Sequence, residues 1–257
     1  MITLTSDFGL KDSYVAEMKG VIMSINPYAT IIDITHEINK FDIKMGAFIL
    51  TSATNYFPKG SIHVAVVDPG VGTDRRGLLV QTKKSFFVGP DNGILSLASQ
   101  NQGIEHIYQI ENPKFIRTNV SSTFHGRDVF ASVAAHLDKG VEPKFFGPEI
   151  SNLINPEFTK TVKKNDGIIG EVLHIDNFGN IITNIKIQEL FEIEKVKVRI
   201  SNQQFELVLA RTYGQVKTQH PLALIGSHNF LEIAVNQGNA AEKYNIKIDD
   251  EVEVTPV

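Results

Sequence analysis

What most constrains this sequence is a change of periodicity near its middle. Up to residue 137, short β-branched runs alternate with segments whose apolar residues recur every three or four positions. Residues 1–5, 30–34 and 62–67 read as strands, the last largely apolar, as a strand buried on both faces requires. Tyr14, Val15, Met18, Val21, Ile22 and Ile25 share one helical face before Pro27 stops the run. Residues 42–57 repeat the pattern through Ile43, Ala47, Leu50, Thr54 and Phe57, and residues 126–137 through Val129, Phe130, Val133, Ala134 and Leu137. Residues 78–82 and 85–88 suggest a hairpin around Lys83-Lys84. Strands alternating with helices imply a mostly parallel sheet flanked by helices.

Beyond Pro143, Pro148 and Pro156 only short β-rich runs remain, at 168–175, 181–185, 196–200, 204–209, 222–225, 231–235 and 251–254. Short strands separated by turns suggest a compact antiparallel barrel. The sequence therefore predicts an α/β domain over 1–155, a linker over 156–166 and a smaller C-terminal antiparallel β-barrel domain over 167–257.

Composition excludes several function classes. A net charge of −4 with both signs interspersed leaves no footprint for nucleic acid and no polybasic membrane patch. The densest basic stretch, at 160–164, is short and reads as a solvated surface. No apolar stretch approaches the ~18 residues of a membrane span. The absence of cysteine removes disulfides, thiolate nucleophiles and cysteine zinc sites. The eight histidines show no metal-ligand spacing, so no metal is expected. With no signal-peptide pattern at residue 1, the expected location is cytoplasmic.

The chemistry concentrates in loops at strand ends, where open α/β sheets place their sites. In Thr5-Ser6-Asp7-Phe8-Gly9, Asp7 lies too early to cap the following helix and suits a vicinal diol; Ser13 serves equally as a cap or a ligand contact. In Asp68-Pro69-Gly70-Val71-Gly72-Thr73-Asp74-Arg75, the carboxylate and guanidinium make either a reactive pair or an ion pair holding the turn. Gly89-Pro90-Asp91-Asn92-Gly93 is turn chemistry and mostly structural. His125, in Thr123-Phe124-His125-Gly126-Arg127-Asp128, precedes a helix, which disfavours its charged form. In the C-terminal half, Asp176 suits an ammonium group, Phe178 a planar base and Asn180 a base edge; Ser227 and the backbone near Gln237 add possible binders.

Taken in order, the Thr5-Ser6-Asp7-Phe8-Gly9, Val67-Asp68-Pro69-Gly70-Val71-Gly72-Thr73, Val88-Gly89-Pro90-Asp91-Asn92-Gly93, Thr123-Phe124-His125-Gly126-Arg127-Asp128 and Asp176-x-Phe178-Gly179-Asn180-x-x-Thr183-Asn184 segments resemble the S-adenosylmethionine (SAM) hydroxide adenosyltransferases, relatives of the SAM-dependent fluorinase and chlorinase. The resemblance covers nearly the whole chain. It implies a homotrimeric hydrolase that converts SAM to adenosine and methionine, with no cofactor beyond the substrate, SAM being bound between the N-terminal domain of one subunit and the C-terminal domain of its neighbour. The family's catalytic Asp, Arg and His fall on Asp68, Arg75 and His125. Its ribose contact falls on Asp7, its methionine contacts on Ser13, Asp176 and Ser227, and its adenine contacts on Phe178, Asn180 and the backbone near Gln237. Phe8 and Thr123, in the same loops, complete the expected substrate contacts. The chain departs from the fluorinase pattern at Asp68 and His125, which disfavours a halide site, and at His228, which follows Ser227 where the fluorinase has arginine. Halogenation and non-catalytic SAM or nucleoside sensing remain the alternatives.

Overall fold

β1 (Ile2–Ser6) and β3 (Ile62–Val66) lie side by side and parallel, with every residue buried, the threonines of β1 and His63 of β3 included. They belong to a six-stranded sheet with β2 (Ile31–Thr35), β4 (Gly77–Thr82), β5 (Phe86–Pro90) and β6 (Ile104–Gln109), in the order β2-β1-β3-β5-β4-β6. β2, β1, β3 and β5 are parallel; β4 runs antiparallel to β5 and β6, so the expected hairpin sits inside the sheet. The computed structural model describes residues 1–164, 167–186 and 194–257, and the chain divides into two units, Met1–Asn155 and Pro156–Val257.

Alternate strand residues point to opposite faces, and both faces are covered. Val64 and Val66 pack with Met18 and Ile22 of α1 (Tyr14–Ile25) and with Val133 of α4 (Ser132–Asp138). Ala65 and Val67 pack with Leu50 of α2 (Ile43–Thr54) and Ala98 of α3 (Ser96–Gln102). Asp42 caps α2, its carboxylate accepting from Met45 N at 2.8 Å. The run expected as one helix over 126–137 begins instead as a π-helical turn, Gly126–Ala131, and only then tightens into α4.

In the second unit, β8 (Gly167–Ile175), β9 (Ile181–Lys186), β10 (Lys195–Ile200), β11 (Gln203–Ala210), β12 (Pro221–Ile225), β13 (Phe230–Val235) and β14 (Glu251–Pro256) form a closed ring, because β14 pairs with both β10 and β8. β10 shows strict alternation, with Val196, Val198 and Ile200 inside and the intervening charged residues outside. The barrel is antiparallel except at β11–β12, which pair in parallel because residues 211–220 cross over instead of reversing in a hairpin. The stretch expected as linker carries a 3-10 turn at Glu157–Thr159 and strand β7 (Val162–Lys164), which pairs with β8; its last two residues, 165 and 166, lie outside the described residues, as do 187–193 of the barrel domain. A short helix, α5 (Ala240–Tyr244), follows the barrel's β13, capped by Asn239. No helix among the described residues is long and apolar enough to cross a membrane.

Candidate active site

Because β1 and β3 are parallel neighbours with Ser6 opposite Val66, the loops leaving their C-terminal ends open on one edge of the sheet. A cavity of about 350 Å³ lies there, and Asp7, Phe8, Asp68, Thr123 and His125 all line it. The loop entering the π turn closes against the same edge: a side chain at Gly126 would meet Phe8 and Val66 at 3.4 Å.

Arg75 does not line the cavity but ties together two residues that do, Asp68 and His125. Its Nε donates to both oxygens of Asp68, at 3.0 and 3.1 Å, and its Nη2 donates to Asp68 Oδ2 at 2.6 Å and to His125 Nδ1 at 2.8 Å. The guanidinium also lies over the Phe130 ring, 5.2 Å from its centroid, where the π turn places that residue. Side-chain exposure is 12% for Arg75 and 5% for Asp68, so the pair is largely dry. A guanidinium has only donors; His125 Nδ1 is therefore an acceptor, and the neutral ring carries its proton on Nε2. Burial, reinforced by the Arg75 charge, pushes the His125 pKa below the usual imidazole value.

The loop between Asp68 and Arg75 turns tightly, with Val71 N bonded to Asp68 O at 3.2 Å and Thr73 N to Gly70 O at 3.2 Å. Gly72 has φ +77, and a Cβ there would sit 2.2 Å from the Ser122 carbonyl oxygen. Glycine is thus what lets the Arg75 loop press against the His125 loop. Gly72→Ala is expected to destabilise the protein by more than about 1 kcal/mol, from strain at positive φ plus the clash. It should cut turnover as well, since the Arg75–His125 distance is set there. Thermal unfolding and steady-state kinetics check both; a variant with wild-type values would show that the loops part without consequence.

Asp7 is held from the far side of the cavity. Its Oδ2 accepts from Phe41 N at 2.9 Å, and the Lys40 ammonium donates to its carbonyl. A carboxylate has about four lone-pair sites, so capacity for a diol remains. Lys40, Phe41 and Tyr14 line the cavity and were not indicated by the sequence. Phe41 acts through its backbone, at φ +66, a property that its residue type conceals. Phe8, Tyr14 and Phe124 form an aromatic cluster with centroids 5.2–5.7 Å apart. Ser13 does not line the cavity, nor does its side chain cap α1; its hydroxyl donates to Glu17 Oε1 at 2.7 Å. Asp91 is structural as expected: it pairs with Arg76 and accepts from Ile154 N at 2.7 Å.

The second unit gathers another group. Asp176 Oδ1 accepts from Phe178 N at 2.8 Å and Asn180 N at 2.9 Å, and its Oδ2 accepts from Asn180 Nδ2 at 2.9 Å. This fixes the 176–180 turn and leaves Phe178 78% exposed, an aromatic face with little protein around it. Gly179, at φ +80, abuts Asn239, and its carbonyl accepts from Ala241 N at 3.0 Å, so the Gln237 loop lies alongside. Gln237 O accepts from Gln219 Nε2 at 2.6 Å. Ser227 sits on the separate β12–β13 turn, its hydroxyl 3.4 Å from His228 Nε2. Next to that turn, Glu232 is buried, accepts from Tyr213 Oη at 2.6 Å and packs on Gly226. Burial and the Asp176 charge raise its pKa. Among the described residues, no group of three or more His, Asp or Glu is placed to hold a metal ion.

The sequence matches the family model described as SAM hydroxide adenosyltransferase N-terminal domain over residues 2–147 and that of the C-terminal domain over 170–253. It is 38% identical to an (R)-S-adenosyl-L-methionine hydrolase of Methanocaldococcus jannaschii, covering 99% of this chain and 95% of that protein. It is 27% identical to a fluorinase of Actinoplanes sp., covering 99% and 97%. A crystal structure of an uncharacterized conserved protein from Thermotoga maritima superposes with a TM-score of 0.89 at 40% identity, covering 99% of this chain and all of that one.

Proposed function

This chain belongs to the SAM hydroxide adenosyltransferase family, and from that premise we propose that it hydrolyses SAM to adenosine and methionine by in-line attack of water on C5′. The observation that carries the proposal is the Asp68–Arg75–His125 constellation, which places Asp68 and His125 on a cavity that also presents Asp7. Sulfonium sulfur leaves as a neutral thioether, so no acid is needed to expel it. What the site must do is hold one water about 3–3.5 Å from C5′ on the side opposite sulfur. As the C5′–O bond forms, the C5′–S pair moves onto sulfur, and the water must lose a proton. Arg75 has only donors and His125 carries its proton on Nε2, which leaves the Asp68 carboxylate as the acceptor among the three. His125 orients the water, and Arg75 fixes both partners while opposing charge build-up.

Asp7 takes the ribose diol, with Phe8 and Thr123 beside it, while Asp176, Phe178, Asn180, Ser227 and the Gln237 backbone serve methionine and adenine. Ser13 needs its Glu17 bond exchanged before it can contact the substrate. The relative from Methanocaldococcus jannaschii is named for the (R) configuration, and the same sulfonium epimer is proposed here. The assembly proposed is a homotrimer, a reading that the family resemblance supports. Cytoplasmic residence, resting on the cysteine-free composition, and turnover without metal or cofactor complete the proposal.

The deciding experiment incubates purified protein with resolved (R)- and (S)-SAM, with and without chelator, chloride or fluoride. Adenosine and methionine are expected one to one from the (R) epimer, unchanged by any addition. A 5′-halogenated nucleoside would make the protein a halogenase, and SAM surviving intact would make it a binding protein.

A further inference from the structure

Behind Asp7, and outside the cavity lining, runs a polar row that the proposed reaction does not use. Ser6 Oγ lies 2.7 Å from His36 Nδ1, and His36 Nε2 lies 3.2 Å from Asp33 Oδ1. Asp33 Oδ2 is in turn 2.6 Å from the Lys19 ammonium at the surface. Ser6 and His36 are 1% and 3% exposed. A hydroxyl, an imidazole and a carboxylate in sequence invite comparison with a nucleophilic triad. Ser6 has no access to substrate, however, because its side chain is buried and does not line the cavity.

Ser6 and His36 share the hydrogen bond of this row, while His36 Nε2 faces Asp33 Oδ1 at ion-pair distance without meeting it in hydrogen-bond geometry. The facing carboxylate favours the tautomer with the proton on Nε2, in which Nδ1 accepts from the Ser6 hydroxyl. Ser6 Oγ accepts in turn from Phe8 N at 3.3 Å. The imidazole thus orients a hydroxyl that bridges over Asp7, holding the residues on either side of it. The main chain adds to this clamp: Gly9 N donates to His36 O at 2.7 Å and Ile38 N to Ser6 O at 3.4 Å. Phe41, which bonds the Asp7 carboxylate, ends the same strap of residues 36–41.

We propose that His36 is a positioning residue for substrate: through Ser6 it fixes the Asp7 carboxylate, and so sets where the ribose hydroxyls are received. This rests on the reading of Asp7 as the ribose contact. Removing the imidazole strands a buried hydroxyl and frees the turn at Asp7. The loss then falls on interactions with the ribose, and it shows in KM more than in kcat.

The test measures kcat and KM for SAM and for its 2′,3′-dideoxy analogue with the full chain. Wild type is expected to prefer SAM strongly, and Asp7→Asn to lose that preference. His36→Phe is expected to raise KM for SAM by roughly tenfold, the scale of one stranded buried group, while leaving KM for the dideoxy analogue near wild type. His36→Asn, which keeps an acceptor, should recover part of the preference. If His36→Phe fails to fold, Ser6→Ala, which deletes the hydroxyl from the same link at little cost in volume, is expected to give the same selective loss and decides the matter. A lowered melting temperature with the SAM preference intact in these variants overturns the proposal. If Asp7→Asn itself keeps the preference, the ribose reading fails first, and the two failures are told apart.

Discussion

Asp68→Asn is expected to lower kcat by roughly 10²–10⁴ while leaving KM for SAM close to wild type, the signature of a group that acts on the water and not on the bound substrate. The asparagine is nearly isosteric and can still accept one bond from Arg75, so the loop keeps its shape. What is lost is the one group of the three able to take a proton from water, since Arg75 only donates and the His125 Nδ1 lone pair is already engaged by Arg75. The adenosine released per minute and the affinity for SAM under non-turnover conditions separate the two effects. Turnover at the wild-type rate would remove Asp68 from the reaction. Weak SAM binding with preserved kcat would reassign it to substrate holding.

The parts legible in the sequence were those where burial dictates composition. β3 is covered on both faces and reads as a largely apolar run, and the loops after it and after β1 stand out because aspartate and glycine follow within a few residues. α3 escaped notice because its serines satisfy themselves locally, Ser96 and Ser99 donating to the Gly93 and Leu95 carbonyls, so a polar stretch is buried without an apolar pattern. The parallel pairing of β11 with β12 also left no trace, since strand direction depends on the path of the connection and not on strand composition. At the site, the seven-residue separation of Asp68 and Arg75 across two glycines was readable as a return loop. Phe41 was not, because its contribution is a backbone N–H in a left-handed conformation. Ser13 is a different case: its hydroxyl donates to Glu17, an acceptor four residues on and visible in the sequence.

Arg75→Met should be at least as damaging to kcat as Asp68→Asn, because it disconnects both partners at once. Methionine keeps the apolar stem but ends short of the guanidinium plane, so every donor disappears and the stacking contact with Phe130 goes with it. Asp68, with a side chain only 5% exposed, is then left without its counter-ion, and removing one member of a buried pair costs about 3–5 kcal/mol at the upper end. His125 changes as well. In the wild type, burial and then Arg75 hold its pKa below the ordinary value. At neutral pH the ring is uncharged, and activity should fall only on the acid side of 6.5, where a proton on Nδ1 would confront the guanidinium. Without Arg75 the burial remains but the repulsion is gone, and the nearby Asp68 charge favours the protonated ring. The acid limb of kcat/KM should therefore move to higher pH, not lower. The double variant Asp68→Asn/Arg75→Met should lose little more than the worse single variant, since the two act as one unit. Arg75→Lys tests the geometry apart from the charge: a single ammonium cannot bridge Asp68 and His125 as the fork does, so kcat should stay well below wild type. Wild-type kcat in Arg75→Lys, or losses that simply add in the double variant, would mean that the three residues touch without working together.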